Sequence, residues 1–278
     1  MASITILMEN TVHRQGLTAE HGLSLWVECE DGPILFDAGQ TGAWAANAQI
    51  MGIDTARAAA VLLSHGHYDH GGGMSAFPFD RTGATLYAHP AAYRPKYARR
   101  SPGEPATHAI GLDWGPDDIR TWGGTYKANE GVTQIGKQAY AVTAIPHVTS
   151  FEPDSWQFEV ETPDGVRVPD RIEEEQMLVL SLPDGLAVVV GCSHPGVING
   201  LERVRSAFPG RPIRTVVGGT HLEKSDPERI RATADWFLRH EIHLLAPLHC
   251  TGAKTQCALL RALGDRVALV GVGDTIQL

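Results

Sequence analysis

Four side chains able to bind metal crowd into six positions of the stretch LLSHGHYDHGGG, Leu62 to Gly73: His65, His67, Asp69 and His70. Imidazole nitrogen and carboxylate oxygen suit zinc, iron or manganese, and the absence of a Cys quartet argues against a closed structural zinc. Side chains two places apart on an extended loop share a direction, so His65 and His67 can grip one ion. Asp69 and His70, past the bend, can face a second. Asp69 could also accept a proton or steer the attacking water, which makes Asp69 and His70 the candidate catalytic pair. The glycines that follow, Gly71 to Gly73, are expected to leave space for ions and a substrate.

One loop cannot enclose two ions, so further ligands must come from elsewhere. Four apolar runs end in a histidine with Gly or Pro beside it: AVVVGCSHPG (Cys192, His194), LLAPLHCTG (His249, Cys250), VVGGTHLEK (His221) and TAIPHVTS (His147). Any one of these is as often a satisfied structural histidine as a ligand. The same feature at four strand ends argues for a shared centre. His194 and His249 are the firmest outer ligands. Cys192, His147, His221 and Asp37 are candidates for binding metal or for orienting the groups that do, and Ser64 is a further orienting candidate. Cys192 and Cys250 could equally fill buried space. Two divalent ions, zinc first and iron or manganese as alternatives, would share a water, lower its pKa toward ~7 and deliver a metal-bound hydroxide to a carbonyl or phosphoryl group.

The elements needed to hold such a centre are legible along the chain. ITILMEN, GLSLWVEC and PILFDAG have the pattern of short strands, and TGAWAANAQIMG that of a helix. AAAVLLSHG is a buried strand ending at the histidines, and ATLYAHP another. QAYAVTAIP, then EQMLVLSL and LAVVVGC around the turn PDG, resume the strands. A helix over 197–207, the strand IRTVVGG, a helix opened by the capping box SDPE, the strand IHLLAPLH, a helix through KTQCALLRAL and the strand VALVGVGD complete the chain. Strands followed by helices alternating with strands occur twice. The order predicts an α/β fold, a four-layer α/β/β/α sandwich of two β-rich halves with outer helices and the site at the strand ends. With no linker between the halves, residues 1–278 form one expected domain.

Residues 91–130 lack clear period and are expected to form a surface excursion or lid. Within HPAAYRPKYARR, Arg94 and Lys96 could bind a phosphate or carboxylate, as could Arg99 and Arg100; a solvated charged face is the competing reading. Trp114, Trp122 and Tyr126 could cover an aromatic substrate or form the segment's own small core.

The chain has 278 residues, of which 43% are hydrophobic and 20% charged, ample for a buried centre. Its net charge of −9 excludes nonspecific nucleic-acid binding as a leading function. No apolar run approaches the ~18 residues of a membrane span. The four cysteines show no CxxC pairing, so a cytoplasmic, small-molecule enzyme is expected.

SHGHYDHGGG resembles the HxHxDH signature of the metallo-β-lactamase fold, and ILFDAGQTG, with Asp37, its Asp-x-Gly turn that buttresses the metal loop. EHGLSLWVE, LFDAGQTG with Asn47, GCSHPGVIN, GGTHL and LHCTG together resemble one subgroup over nearly the whole chain: metal-dependent hydrolases related to a dihydropterin-methyl-ribofuranosyl-aminobenzene phosphate synthase. The resemblance implies first-metal ligands His65 and His67, second-metal ligands Asp69 and His70, and a last ligand at His249. GCSH falls where other members carry a bridging aspartate, here Cys192 with His194 two residues on, and His147 falls in the third-histidine region. Glu20 and His21 are implied near the pocket. The leading expectation is a dinuclear hydrolase of a small anionic ester, lactone or phosphoester. A synthase forming a C–N bond between a pterin alcohol and an arylamine is the alternative. A ligand sensor without catalysis ranks third, because the motif is complete.

Overall fold

The computed structural model describes residues 2–152 and 157–278. Two large sheets face each other. The first has seven strands in the order Thr275–Gln277, Ser3–Met8, Ser24–Glu28, Ile34–Phe36, Ala60–Leu62, Thr85–Ala88, Thr125–Ala128. The second has six, in the order Leu244–Leu248, Ile213–Gly219, Gly185–Val190, Met177–Leu182, Ala139–Val142, Val132–Gln134. Each is antiparallel at one end and parallel at the other.

Period-two burial sorts the side chains into layers. In Met177–Leu182, Leu178 and Leu180 enter the core between the sheets, while Met177 and Val179 enter the core beneath the helices. Gly185–Val190 divides likewise, Ala187 and Val189 against Val188 and Val190. The second core is closed by helices Val197–Ala207, Pro227–Arg239 and Ala253–Leu263 through Leu201, Val204, Phe237 and Leu259. On the outer face of the first sheet lie helix Ala43–Ile50, with Trp44 and Ala48 buried, and the shorter helices Phe79–Thr82 and Pro116–Thr121. The molecule is an α/β sandwich. Among the described residues no helix is long and apolar enough to cross a membrane.

Two local expectations need correction. VALVGVGD is not a strand. Beyond Val267 the chain makes only isolated bridges, Val267 to Leu245 and Val272 to Val12, and pairs regularly only at Thr275–Gln277. At SDPE the cap is Asp226, whose carboxylate accepts from the Arg229 amide at 2.8 Å, with Pro227 opening the helix and no reciprocal box. Residues 91–130, without clear period in the sequence, contain regular strands. Lys96–Ala98 and His108–Ala109 join Phe158–Glu161 and Arg167–Pro169 in a four-stranded antiparallel sheet, and Thr125–Ala128 extends the first large sheet. Trp114 packs against Tyr93 and Trp122, the interior of that segment.

Candidate metal centre

The parallel strands of both sheets run out at one edge, where the candidate donors gather. Ala60–Leu62 leads into the loop of His65 and His67, and a single helical turn, Tyr68–Gly71, carries Asp69 and His70. Gly185–Val190, Ile213–Gly219 and Leu244–Leu248 lead to Cys192 with His194, to His221 and to His249. Among the described residues, non-glycine positive φ occurs at seven positions, and Asp37, Ser193, His221 and His249 are four of them. Such conformations cost roughly 1–3 kcal/mol each and persist where the surroundings enforce them. Gly191 is needed where the sheets meet: a Cβ there would collide with Ser64 Oγ.

The first donor group is His65, His67 and His194. His65 Nε2 lies 3.0 Å from His67 Nδ1 and 3.2 Å from His194 Nε2. Burial holds all three well below the usual imidazole range, so they are neutral, the form that binds metal. The Ser64 hydroxyl donates to Asp37 Oδ2 at 2.7 Å and accepts from His65 Nδ1 at 2.9 Å, which leaves His65 Nε2 as a lone pair. His67 Nε2 and His194 Nδ1 are buried without partners. Three imidazoles meeting nitrogen to nitrogen, two with nothing to bond behind them, form a poor hydrogen-bond network and a good ligand set for one cation.

The second group surrounds Asp69. Its Oδ2 lies 3.2 Å from His21 Nε2 and 3.3 Å from His249 Nε2. Asn10 Oδ1 accepts from His249 Nδ1 at 2.8 Å and from the Gly22 amide at 3.4 Å. His249 Nε2 therefore presents a lone pair toward a carboxylate oxygen, close but with no hydrogen bond made. Two acceptors so placed call for a cation between them. Burial alone would raise Asp69, yet the His70 charge and the contact from His21 hold it well below the carboxylate range. Burial would lower His70, but Asp37, 2.6 Å from Nδ1, and Asp69 lift it to about 9. Both carboxylates thus draw positive charge to this spot. Cys192 links the groups: Sγ is 3.1 Å from His70 Nε2, and burial pushes its thiol well up. His65, His70 and Cys192, and again Cys192, His249 and Cys250, have donor atoms within 4.8 Å of one another, so the donors form one continuous cluster. His67, Asp69, Cys192, His194 and His249 floor a cavity of about 690 Å³ walled by Tyr68, Arg99, Phe158, His221 and Arg229, among others, with His65 and His70 buried beneath it.

The model of the metallo-beta-lactamase superfamily matches residues 17–271. The chain belongs to this superfamily. It is 28% identical to an uncharacterized protein of Methanocaldococcus jannaschii, covering 92% of this chain and 93% of that one. It is 27% identical to the 7,8-dihydropterin-6-methyl-4-(beta-D-ribofuranosyl)-aminobenzene-5'-phosphate synthase of the same organism, covering 93% and 90%. The crystal structure of a metal-dependent hydrolase of the beta-lactamase superfamily superposes with a TM-score of 0.86 at 29% identity, covering 100% of this chain and 99% of that one.

Within this superfamily chain, several expected site residues stand elsewhere. The third histidine beside His65 and His67 is His194; His147 is exposed and outside the cavity wall. The backbone turns at Ala144 (φ 58°), and the Val148 and Thr149 amides then dock on Asn199 Oδ1, carrying His147 outward. Lys96 is only 2% exposed and binds Asp170 at 2.6 Å and Glu174 at 2.8 Å, so it is structural. Arg94 is exposed and does not line the cavity. Glu20 accepts from the Gln40 and Thr41 amides, both at 3.0 Å, and from Thr41 Oγ1 at 2.7 Å, fixing the turn after Asp37, and does not line the cavity. His21 does line the cavity. His221 lines it too, 4.4 Å ring to ring from His194, but joins none of the donor groups; burial and the Arg229 charge hold it down at about 4. Gly71 to Gly73 do not open space. A Cβ at Gly72 or Gly73 would strike the Gln40 or Thr41 carbonyl, so these glycines let the metal loop pack on the Asp37 turn.

Glu175 escaped the sequence analysis. Its carboxylate accepts the amides of Cys192 (3.1 Å), Ser193 and His194 (2.7 Å), and burial, against those bonds, lifts it to about 7. The available signal was the run Glu173-Glu174-Glu175-Gln176 directly before a buried strand, where solvent cannot reach every side chain.

Proposed function

We propose that this chain is a dinuclear metal-dependent hydrolase of a small anionic ester, lactone or phosphoester. The observation that carries the reading is the continuous cluster of buried donors on the cavity floor, with lone pairs facing one another at His65 and at His249. His65, His67 and His194 would hold one ion, and Asp69, His70 and His249 the other, with Cys192 between them. When bound, divalent ions, zinc first with iron or manganese as alternatives, supply Lewis acidity and acidify a water.

The protein's own groups do the rest. Asp37 and Ser64 fix the His70 and His65 rings, and Asn10 fixes His249. Asp69 Oδ2 is placed to take a proton, and His21, bonded to it and 58% exposed at the side chain, can carry that proton to solvent. Phe158 covers His67 and His194 at 5.1 Å, keeping bulk water from that side. Ala98, Arg99 and Ile110 contribute to the cavity wall, which supports residues 91–130 as a partial lid on a single catalytic domain. Four unpaired cysteines support a reducing, cytoplasmic setting.

A second reading, C–N bond formation, draws on the relative named as a synthase. Elemental analysis of protein purified without chelators tests what both need. About two equivalents of metal are expected, with the ion held by His65, His67 and His194 lost from His67→Ala; no metal bound or taken up on titration overturns both. Turnover of esters or lactones with incorporation of labelled water oxygen favours hydrolysis; coupling of a pterin alcohol to an arylamine without it favours the synthase.

A further inference from the structure

We infer that Arg229 is the anion anchor of this cavity, gripping a phosphate or carboxylate on the non-reacting end of the substrate. The inference rests on the hydrolase reading and specifies its substrate class. Arg229 stands in the first turn of helix Pro227–Arg239, and its side chain lines the cavity that opens over the donor cluster. Its Nε is buried with no hydrogen-bond partner. Among the described residues, Glu152 and Asp226 act on its charge only through space, and each is engaged elsewhere. Glu152 accepts the Ile198 and Asn199 amides at 2.9 and 2.8 Å and Thr149 Oγ1 at 3.2 Å; Asp226 accepts Arg229's own amide.

The contrast with the other cations is what decides. Arg99, on the same cavity wall, is paired with Glu159, and Lys96 is buried between Asp170 and Glu174. Lys224, the remaining cation of the wall, is exposed. A half-buried guanidinium with no hydrogen-bonded partner recovers only the through-space attraction of Glu152 and Asp226 for the hydration it loses, unless a ligand brings an anion into contact. Its planar fork matches the paired oxygens of a carboxylate or phosphate. The placement also fits. His221, on the same cavity wall as Arg229, packs 4.4 Å ring to ring from His194, so this wall adjoins the first donor group. A cavity of about 690 Å³ has room for a reacting group on its floor and a charged tail at this wall.

The test uses the metal-loaded full chain and matched aryl esters that are neutral, carboxylate-bearing or phosphate-bearing at the end remote from the ester. The wild type is expected to favour an anionic member by about 10- to 100-fold in kcat/KM, mostly through KM. The better anion identifies the tail. Arg229→Met should collapse that ratio, Arg229→Lys should keep part of it, and Arg231→Ala, an exposed neighbour, should keep all of it. A ratio unchanged in Arg229→Met, or absent in the wild type, overturns the proposal. If no ester is turned over, the hydrolase reading fails separately. Equilibrium binding of phenyl phosphate and benzoate then decides: at least tenfold weaker binding in Arg229→Met upholds the anchor, and equal binding overturns it. Should Arg229→Met not fold, the same comparison is made with Arg229→Lys, where unchanged selectivity and binding overturn it.

Discussion

The two sheets furnish the centre in different ways. The seven-stranded sheet brings four donors on one loop, with their spacing fixed by a few local dihedrals and one helical turn. The six-stranded sheet brings its donors singly, from strands whose agreement depends on register: Val190 opposite Gly218, and Gly218 opposite Pro247. A one-residue slip in either pairing would turn a donor to the wrong face. Each half also has its own carboxylate clamp. Asp37 binds His70 and Ser64 side chains in the first; Glu175 binds three backbone amides in the second. A donor loop close in sequence needs its rings oriented, whereas a donor loop remote in sequence needs its backbone held.

The two halves differ most at their ligands. His65 touches both donor groups, so His65→Ala should lose metal from both positions, well beyond the ~100-fold in affinity that a supporting residue costs. His249→Ala should spare the His65–His67–His194 group and retain about one equivalent. Metal per chain, measured on both variants, checks this; equal retention would mean that the two groups are not separate. Asp37→Ala comes next. It strands His70 and Ser64 in full burial, and roughly 3–5 kcal/mol of stability should go with it, read by urea unfolding. Glu175→Ala should cost less, about 2–3 kcal/mol, since amides can recruit water more readily than a buried ring can find a new partner. Its larger effect should be on metal held by His194, with Glu175→Gln recovering part of both. If Glu175→Ala loosens His70 as much as His194, the clamps are not independent.

This asymmetry also decides what could be read from the chain. The loop of His65, His67, Asp69 and His70 is legible because all its chemistry is local, and Asp37 is legible from the turn that resembles its family's. Helix Val197–Ala207 and strand Ile213–Gly219 have the predicted bounds, because period and flanking Gly or Pro agree there. The sequence ranks His194 above His147 but does not show the reason. Both end apolar runs, and the docking of Val148 and Thr149 on Asn199, a contact made about 50 positions along the chain, separates them. Glu175 is hidden for the same reason, since its partners lie 17 to 19 positions away. Lys96 deceives in the opposite sense. A basic residue in a basic stretch suggests a solvated or ligand-binding face, and its partners Asp170 and Glu174 are again remote.

The smallest expected effect lies in the basic stretch that includes Arg94 and Lys96. Arg94 and Lys96 sit two apart, and from charge alone either could hold an anion. In the folded chain Lys96 turns inward between two carboxylates, and Arg94 turns out to solvent away from the cavity. Arg94→Ala should therefore leave the melting temperature and the KM for an anionic substrate unchanged within error, as exposed substitutions away from a site commonly do. A several-fold rise in KM would place the anion at the outer face of 91–130. The charge that matters would then belong to the half of the molecule that carries the metal loop. If KM holds, the anion requirement moves to the helix Pro227–Arg239 side, and both the single donors and the substrate's charge are supplied by the half assembled through long-range register.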